Sequence, residues 1–121
     1  MATSLLADDV IVVGNSSDSP FAIDIAFALG QSEDIADLIS MKTFANSEFC
    51  PRFINDEQDL SRIGEQLVDK TVVIVSTSSL TMSRNSLAMR NLLIARAAKD
   101  NGAAAVVLIE PDLYYLSLIH I

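Results

Sequence analysis

One short segment, Phe44-Ala45-Asn46-Ser47-Glu48, carries three side chains that together could recognise a purine base. Phe44 offers a flat apolar face for stacking. Asn46 carries a donor and an acceptor on one amide, and Glu48 accepts a hydrogen bond from an exocyclic amine. Those are the groups an adenine ring requires. The same residues also make sense without a ligand, with Phe44 in a core and Asn46-Ser47 in a turn between strands. On spacing alone the turn leads, because Asn and Ser are common turn formers.

Two further segments are rich in small polar side chains, Gly14-Asn15-Ser16-Ser17 and Ser76-Thr77-Ser78-Ser79. Each follows a continuous β-branched run and precedes a helical pattern. Backbone N–H groups at a helix N-terminus, reinforced by the helix dipole, favour an anion. Asn15, Ser16, Ser76 and Thr77 are therefore candidate phosphate ligands. A well-capped turn accounts for the same residues and is the commoner outcome. Neither segment is a Walker loop, since no Gly-Lys-Ser/Thr follows.

These loops need a scaffold, and the hydrophobic pattern supplies one. Residues 10–13 and 72–75 are apolar at every position, as are residues 104–109 apart from their alanines. Such runs predict strands covered on both faces, as in parallel sheets. Ser19-Pro20 reads as an N-cap followed by proline at the first helical position, with Ile23, Ala26 and Phe27 continuing at helical spacing and Gly30 as the stop. Residues 38–43 and 48–54 are weaker strands, and Pro51 confines the second to an edge or a bulge. Residues 55–70, with Leu60, Ile63 and Leu67, predict a short amphipathic helix capped by Asn55 or Asp56. Residues 83–101 predict the longest helix, closed by Asn101-Gly102. Its apolar residues spread around the helix, so the expectation is cover from the sheet on one side and a partner subunit on the other. The alternation predicts an α/β domain, a mostly parallel sheet with helices on both faces. In that architecture ligands bind beyond the carboxyl ends of the strands, which is where the polar loops fall.

Composition narrows the function classes. The 121 residues carry 8 Lys and Arg against 16 Asp and Glu, a formal net charge of −8. So acidic a chain repels nucleic-acid backbones and anionic membranes. A single cysteine, Cys50, makes no internal disulfide and fits a reducing compartment. Neither a signal peptide nor a span of ~20 apolar residues is visible, so the expected location is cytoplasmic. No constellation of catalytic or metal-ligating residues stands out.

Gly14-Asn15-Ser16 after a strand, then Phe44-x-Asn46-x-Glu48, then a buried strand ending in Ser76-Thr77, then a long helix before a strand ending near Pro111 occur in one order. That order resembles the N-terminal domain of the ribose-phosphate diphosphokinase (phosphoribosyl pyrophosphate synthase) family over about residues 10–115. The resemblance implies a phosphoribosyltransferase-like fold, homo-oligomers, and transfer of diphosphate from ATP to ribose 5-phosphate with Mg²⁺ for nucleotide biosynthesis. It also implies that the loop with Phe44, Asn46 and Glu48 holds adenine across a subunit interface, and that the catalytic and metal-ligating residues lie outside this chain.

Departures from the family stand beside the matches. Ser47 replaces the usual glycine, Arg90 and Arg96 stand where acidic residues are common, and the stretch 56–66 is longer. Residues 1–9 read as a leader. Residues 116–121 fit neither the family nor a sensible loop and are expected to be non-native, so the chain is expected to be truncated and inactive alone. His120 lies in that tail and receives no role. The alternative is a non-catalytic, family-like regulatory or nucleotide-binding subunit. A receiver-like signalling module is disfavoured, because the strand at 72–75 ends in Ser76-Thr77 rather than an acidic residue.

Overall fold

The computed structural model describes residues 10–16, 19–46, 48–53, 67–79 and 81–111. In chain order the elements are β1 (Val10–Gly14), α1 (Pro20–Ala28), α2 (Ile35–Leu38), β2 (Ile39–Thr43), β3 (Phe49–Phe53), β4 (Thr71–Val75), α3 (Arg84–Asp100) and β5 (Ala105–Ile109). The chain is a mixed α/β structure. β1, β4 and β5 form a three-stranded parallel sheet in the order β1-β4-β5, and β2 and β3 form a separate antiparallel pair. The single, mostly parallel sheet expected from the sequence thus divides in two. Pro51 explains part of the division: a two-stranded ribbon has only edges, where a residue lacking an N–H is tolerated.

The apolar runs behave as their patterns require. Val72, Val73, Ile74 and Val75 are all buried. Successive side chains of a strand point to opposite faces, so β4 is covered on both. Full burial of one such side chain contributes roughly 1.5–3 kcal/mol, which makes β4 the centre of the core. The outer edge of β1 is closed by a side chain. Gln31 accepts from the Val12 N–H through Oε1 at 2.8 Å and donates from Nε2 to the Val12 carbonyl at 3.0 Å. It stands in for a missing strand and blunts an edge that would otherwise template pairing.

α1 starts as predicted. Ser19 Oγ accepts from the Ala22 N–H, Pro20 occupies the first turn, and Gly30 follows the helix with φ 85°. Its buried face is Ala22 and Ala26, while Ile23 and Phe27 point outward. The reason is close approach to the end of β1. A Cβ on Gly14 would lie 2.9 Å from the Ser16 carbonyl oxygen and 3.1 Å from the Ala22 Cβ, so only small residues fit on both sides of the contact.

α3 is capped by Ser83, whose Oγ accepts from the Ser86 N–H at 3.1 Å, and is closed by Asn101 and Gly102. Its buried stripe is Leu87, Asn91, Ile94 and Ala98, at spacings of three and four. Met89 and Leu92 lie on the exposed side. The helix packs against β3, β4 and β5, and thereby joins the two sheets.

Two expectations need correction. Residues 104–109 were expected to form a buried strand, but Val107 and Leu108 of β5 are nearly half exposed. β5 pairs only with β4 and is the edge of its sheet. The predicted helix at 55–70 does not extend through its last residues. Leu67–Lys70 form a turn with Asp69 at φ 65° and a bridge from Val68 to Ala103, while residues 54–66 lie outside the described residues. α2, a single turn, carried no signal that the sequence reading used. No helix among the described residues is long and apolar enough to cross a membrane.

Candidate functional site

Strand register sets the first part of the site. Gly14 pairs with Val75 and Val75 with Ile109, so the three strands of the parallel sheet end level. The next residues, Asn15, Ser76 and Glu110, therefore emerge in one row. The Asn15 N–H continues the ladder to the Val75 carbonyl at 3.2 Å, and the Ser76 N–H to the Ile109 carbonyl at 2.8 Å.

Their side chains complete the row. Asn15 is fully buried. Its Nδ2 donates to Ser76 Oγ and to the Thr77 carbonyl, both at 3.2 Å. Its Oδ1 accepts from the Thr77 N–H and from Thr77 Oγ1, both at 3.3 Å. Both donors and both lone pairs of the amide are used. Ser76 Oγ donates to Glu110 Oε1 at 3.3 Å and accepts from Asn15 Nδ2 and from Asn91 Nδ2, the latter at 2.9 Å. The hydroxyl's one donor and two acceptor positions are likewise filled. Asn91 Oδ1, in contrast, is buried without a hydrogen-bond partner among the described residues.

Of the four candidate anion ligands, then, Asn15 and Ser76 tie strand ends together. Ser16 and Thr77 line an open cavity of about 670 Å³ in front of them, with Ser78, Ser79, Thr81 and the Ser19 cap of α1. This wall of hydroxyls lies beside the N-terminus of α1. Hydroxyls are donors suited to an anion, but the Thr77 hydroxyl is already given to Asn15, and at the helix Pro20 has no N–H while those of Ala22 and Ile23 are taken by Ser19.

The second part is the tip of the β2–β3 hairpin. At its base the register pair Ile39 and Phe53 is buried, and along β2 exposure increases towards the tip. There the Phe44 N–H donates to the Glu48 carbonyl at 2.8 Å, and Asn46 Oδ1 accepts from the Glu48 N–H at 3.1 Å. Asn46 thus acts as the turn former anticipated from its type. Phe44 is 43% exposed, which rules out the core position considered for it. Lys42 Nζ lies 5.3 Å from the centre of its ring. Ser47 lies outside the described residues.

Below the tip, Glu48 and Phe49 line a cavity of about 720 Å³ with Thr43, Met82, Asn85, Ser86, Met89, Arg90 and Leu93. Met82 is shared with the hydroxyl-lined cavity, so the two spaces adjoin. Arg90 lines the second cavity and reaches Asn15, which lines the first. Its Nη1 donates to the Asn15 carbonyl at 3.2 Å, and its guanidinium carbon lies 4.2 Å from the centre of the Phe49 ring. Burial lowers its pKa from the ordinary arginine value, and guanidinium remains charged in proteins even so.

Sequence reasoning singled out Arg90 only as a mismatch to a family and passed over Asn91 and Glu110. For Asn91 a signal existed, since it is the polar member of an otherwise apolar stripe. Among the described residues no group of three or more His, Cys, Asp and Glu side chains could hold a metal ion. Compared with known proteins, the chain matches no family model, no curated protein and no solved structure.

Proposed function

We propose that this chain forms the adenine side of the ATP site in a ribose-phosphate diphosphokinase, built on a phosphoribosyltransferase-like fold and working as an oligomer. The observation that carries the reading is the hairpin tip, where an exposed Phe44, the Asn46 amide and Glu48 share one five-residue turn. Phe44 stacks on the base, with base–aromatic stacking contributing roughly 1–3 kcal/mol. Glu48 accepts from the exocyclic amine and Asn46 Nδ2 donates to a ring nitrogen. The neighbouring wall of hydroxyls suits the phosphate end of the same ligand class.

Diphosphate transfer between ATP and ribose 5-phosphate depends mostly on positioning and on neutralising charge. When bound, Mg²⁺ supplies that neutralisation. The described residues do not fit a protein-held ion. This chain's own residues hold and orient the base.

Replacing Glu48 tests the reading. Glu48→Ala is expected to weaken ATP binding about tenfold or more, the scale of a hydrogen bond to a charged group, with folding stability unchanged because the residue is exposed. Isothermal titration with ATP would show it. An unchanged dissociation constant rejects the adenine assignment.

A further inference from the structure

The hairpin and the parallel sheet share no ladder hydrogen bonds among the described residues. They are held together by packing: β3 lies on α3, and α2, which runs directly into β2, lies on β1. Apolar packing is non-directional, so it sets the distance between two elements better than their rotation. A planar, forked cation is directional at both of its contacts. Arg90 makes two such contacts. Its Nη1 reaches the carbonyl of the fully buried Asn15 at 3.2 Å, and its guanidinium carbon lies over the ring of Phe49, the first residue of β3 and the neighbour of Glu48.

We propose that Arg90 is a positioning residue that fixes the aim of the hairpin tip relative to the loop after β1. Its bearing on nucleotide affinity rests on the function proposed above; the clamp itself rests on geometry alone. The partial burial that lowers the Arg90 pKa also strengthens a cation–ring contact, because less water competes for the charge. Lysine cannot reproduce the arrangement, since a point charge on a flexible stem does not stack flat while donating in a fixed direction.

Amide hydrogen exchange on the full 121-residue chain, compared with Arg90→Met and Arg90→Lys, tests this. Methionine retains the apolar stem and its packing, so the fold survives. In Arg90→Met the hairpin amides, including the Phe44 N–H, are expected to exchange about tenfold faster, while the β4 amides remain as in the wild type. Arg90→Lys should recover only part of the protection. ATP affinity should fall in the same order across the three proteins. Unchanged hairpin exchange in Arg90→Met overturns the proposal. So does an equal acceleration in β4, which would reduce Arg90 to a general contributor to stability, and so does full rescue by lysine. If the wild-type chain binds no ATP, the nucleotide reading fails, and the exchange data still decide whether the clamp exists.

Discussion

Asn15→Ala is expected to destabilise the fold by about 3 kcal/mol, a large effect for one polar side chain. The substitution removes four side-chain hydrogen bonds from a position with no exposure to solvent. Most of the cost falls on the groups left behind. The buried Ser76 hydroxyl loses a donor, and the part-buried Thr77 N–H and carbonyl lose their partners; a buried orphan costs roughly 1–3 kcal/mol. Asn15→Asp separates geometry from bonding. It retains the shape and the acceptor side, but turns an acceptor towards the Thr77 carbonyl, so it should recover little stability. Urea unfolding of the three proteins measures this. A loss below about 1 kcal/mol for the alanine variant would mean that the strand ends are held by the ladder and packing alone.

Phe44→Ala is expected to do the reverse, leaving stability within about 0.5 kcal/mol of wild type while weakening ATP binding roughly 10- to 100-fold. The side chain is 43% exposed at the hairpin tip, so little core is lost with it. What goes is the stacking face. Phe44→Trp should preserve affinity and Phe44→Leu should not, because leucine matches the bulk but not the π-face. A fluorescent ATP analogue displaced by ATP reads the effect. Equal affinity for the leucine variant and the wild type would show that bulk rather than stacking matters at this position.

The two substitutions differ in how far the sequence alone could have foretold them. The strands and helices were legible because local signals agreed. For every element but α2, the apolar runs, Ser19-Pro20, Ser83 and the glycines after α1 and α3 all point the same way. The exposed flank of β5 was not legible, since an apolar run does not say whether its strand will have one neighbour or two. At Asn15 the residue type suggested a capped turn first and a phosphate ligand second. Its actual role depends on partners 61 and 62 residues away and on a register that brings three strand ends level. Arg90 is harder still, as its acceptor lies 75 residues back and its aromatic partner is on the hairpin. Phe44, Asn46 and Glu48 were recognisable as a set because they fall within one turn, where sequence proximity guarantees spatial proximity.

The most direct test of an adenine-side site is discrimination between purines. In the proposed site Glu48 would accept from the amine of adenine but would face an acceptor at the corresponding position of guanine. Titrating the 121-residue chain with ATP and with GTP under the same conditions should give saturable ATP binding at least about tenfold tighter than GTP, a difference of ~1.4 kcal/mol. Equal affinity for the two nucleotides, or no binding at millimolar ATP, would contradict the assignment of Phe44, Asn46 and Glu48 to an adenine site.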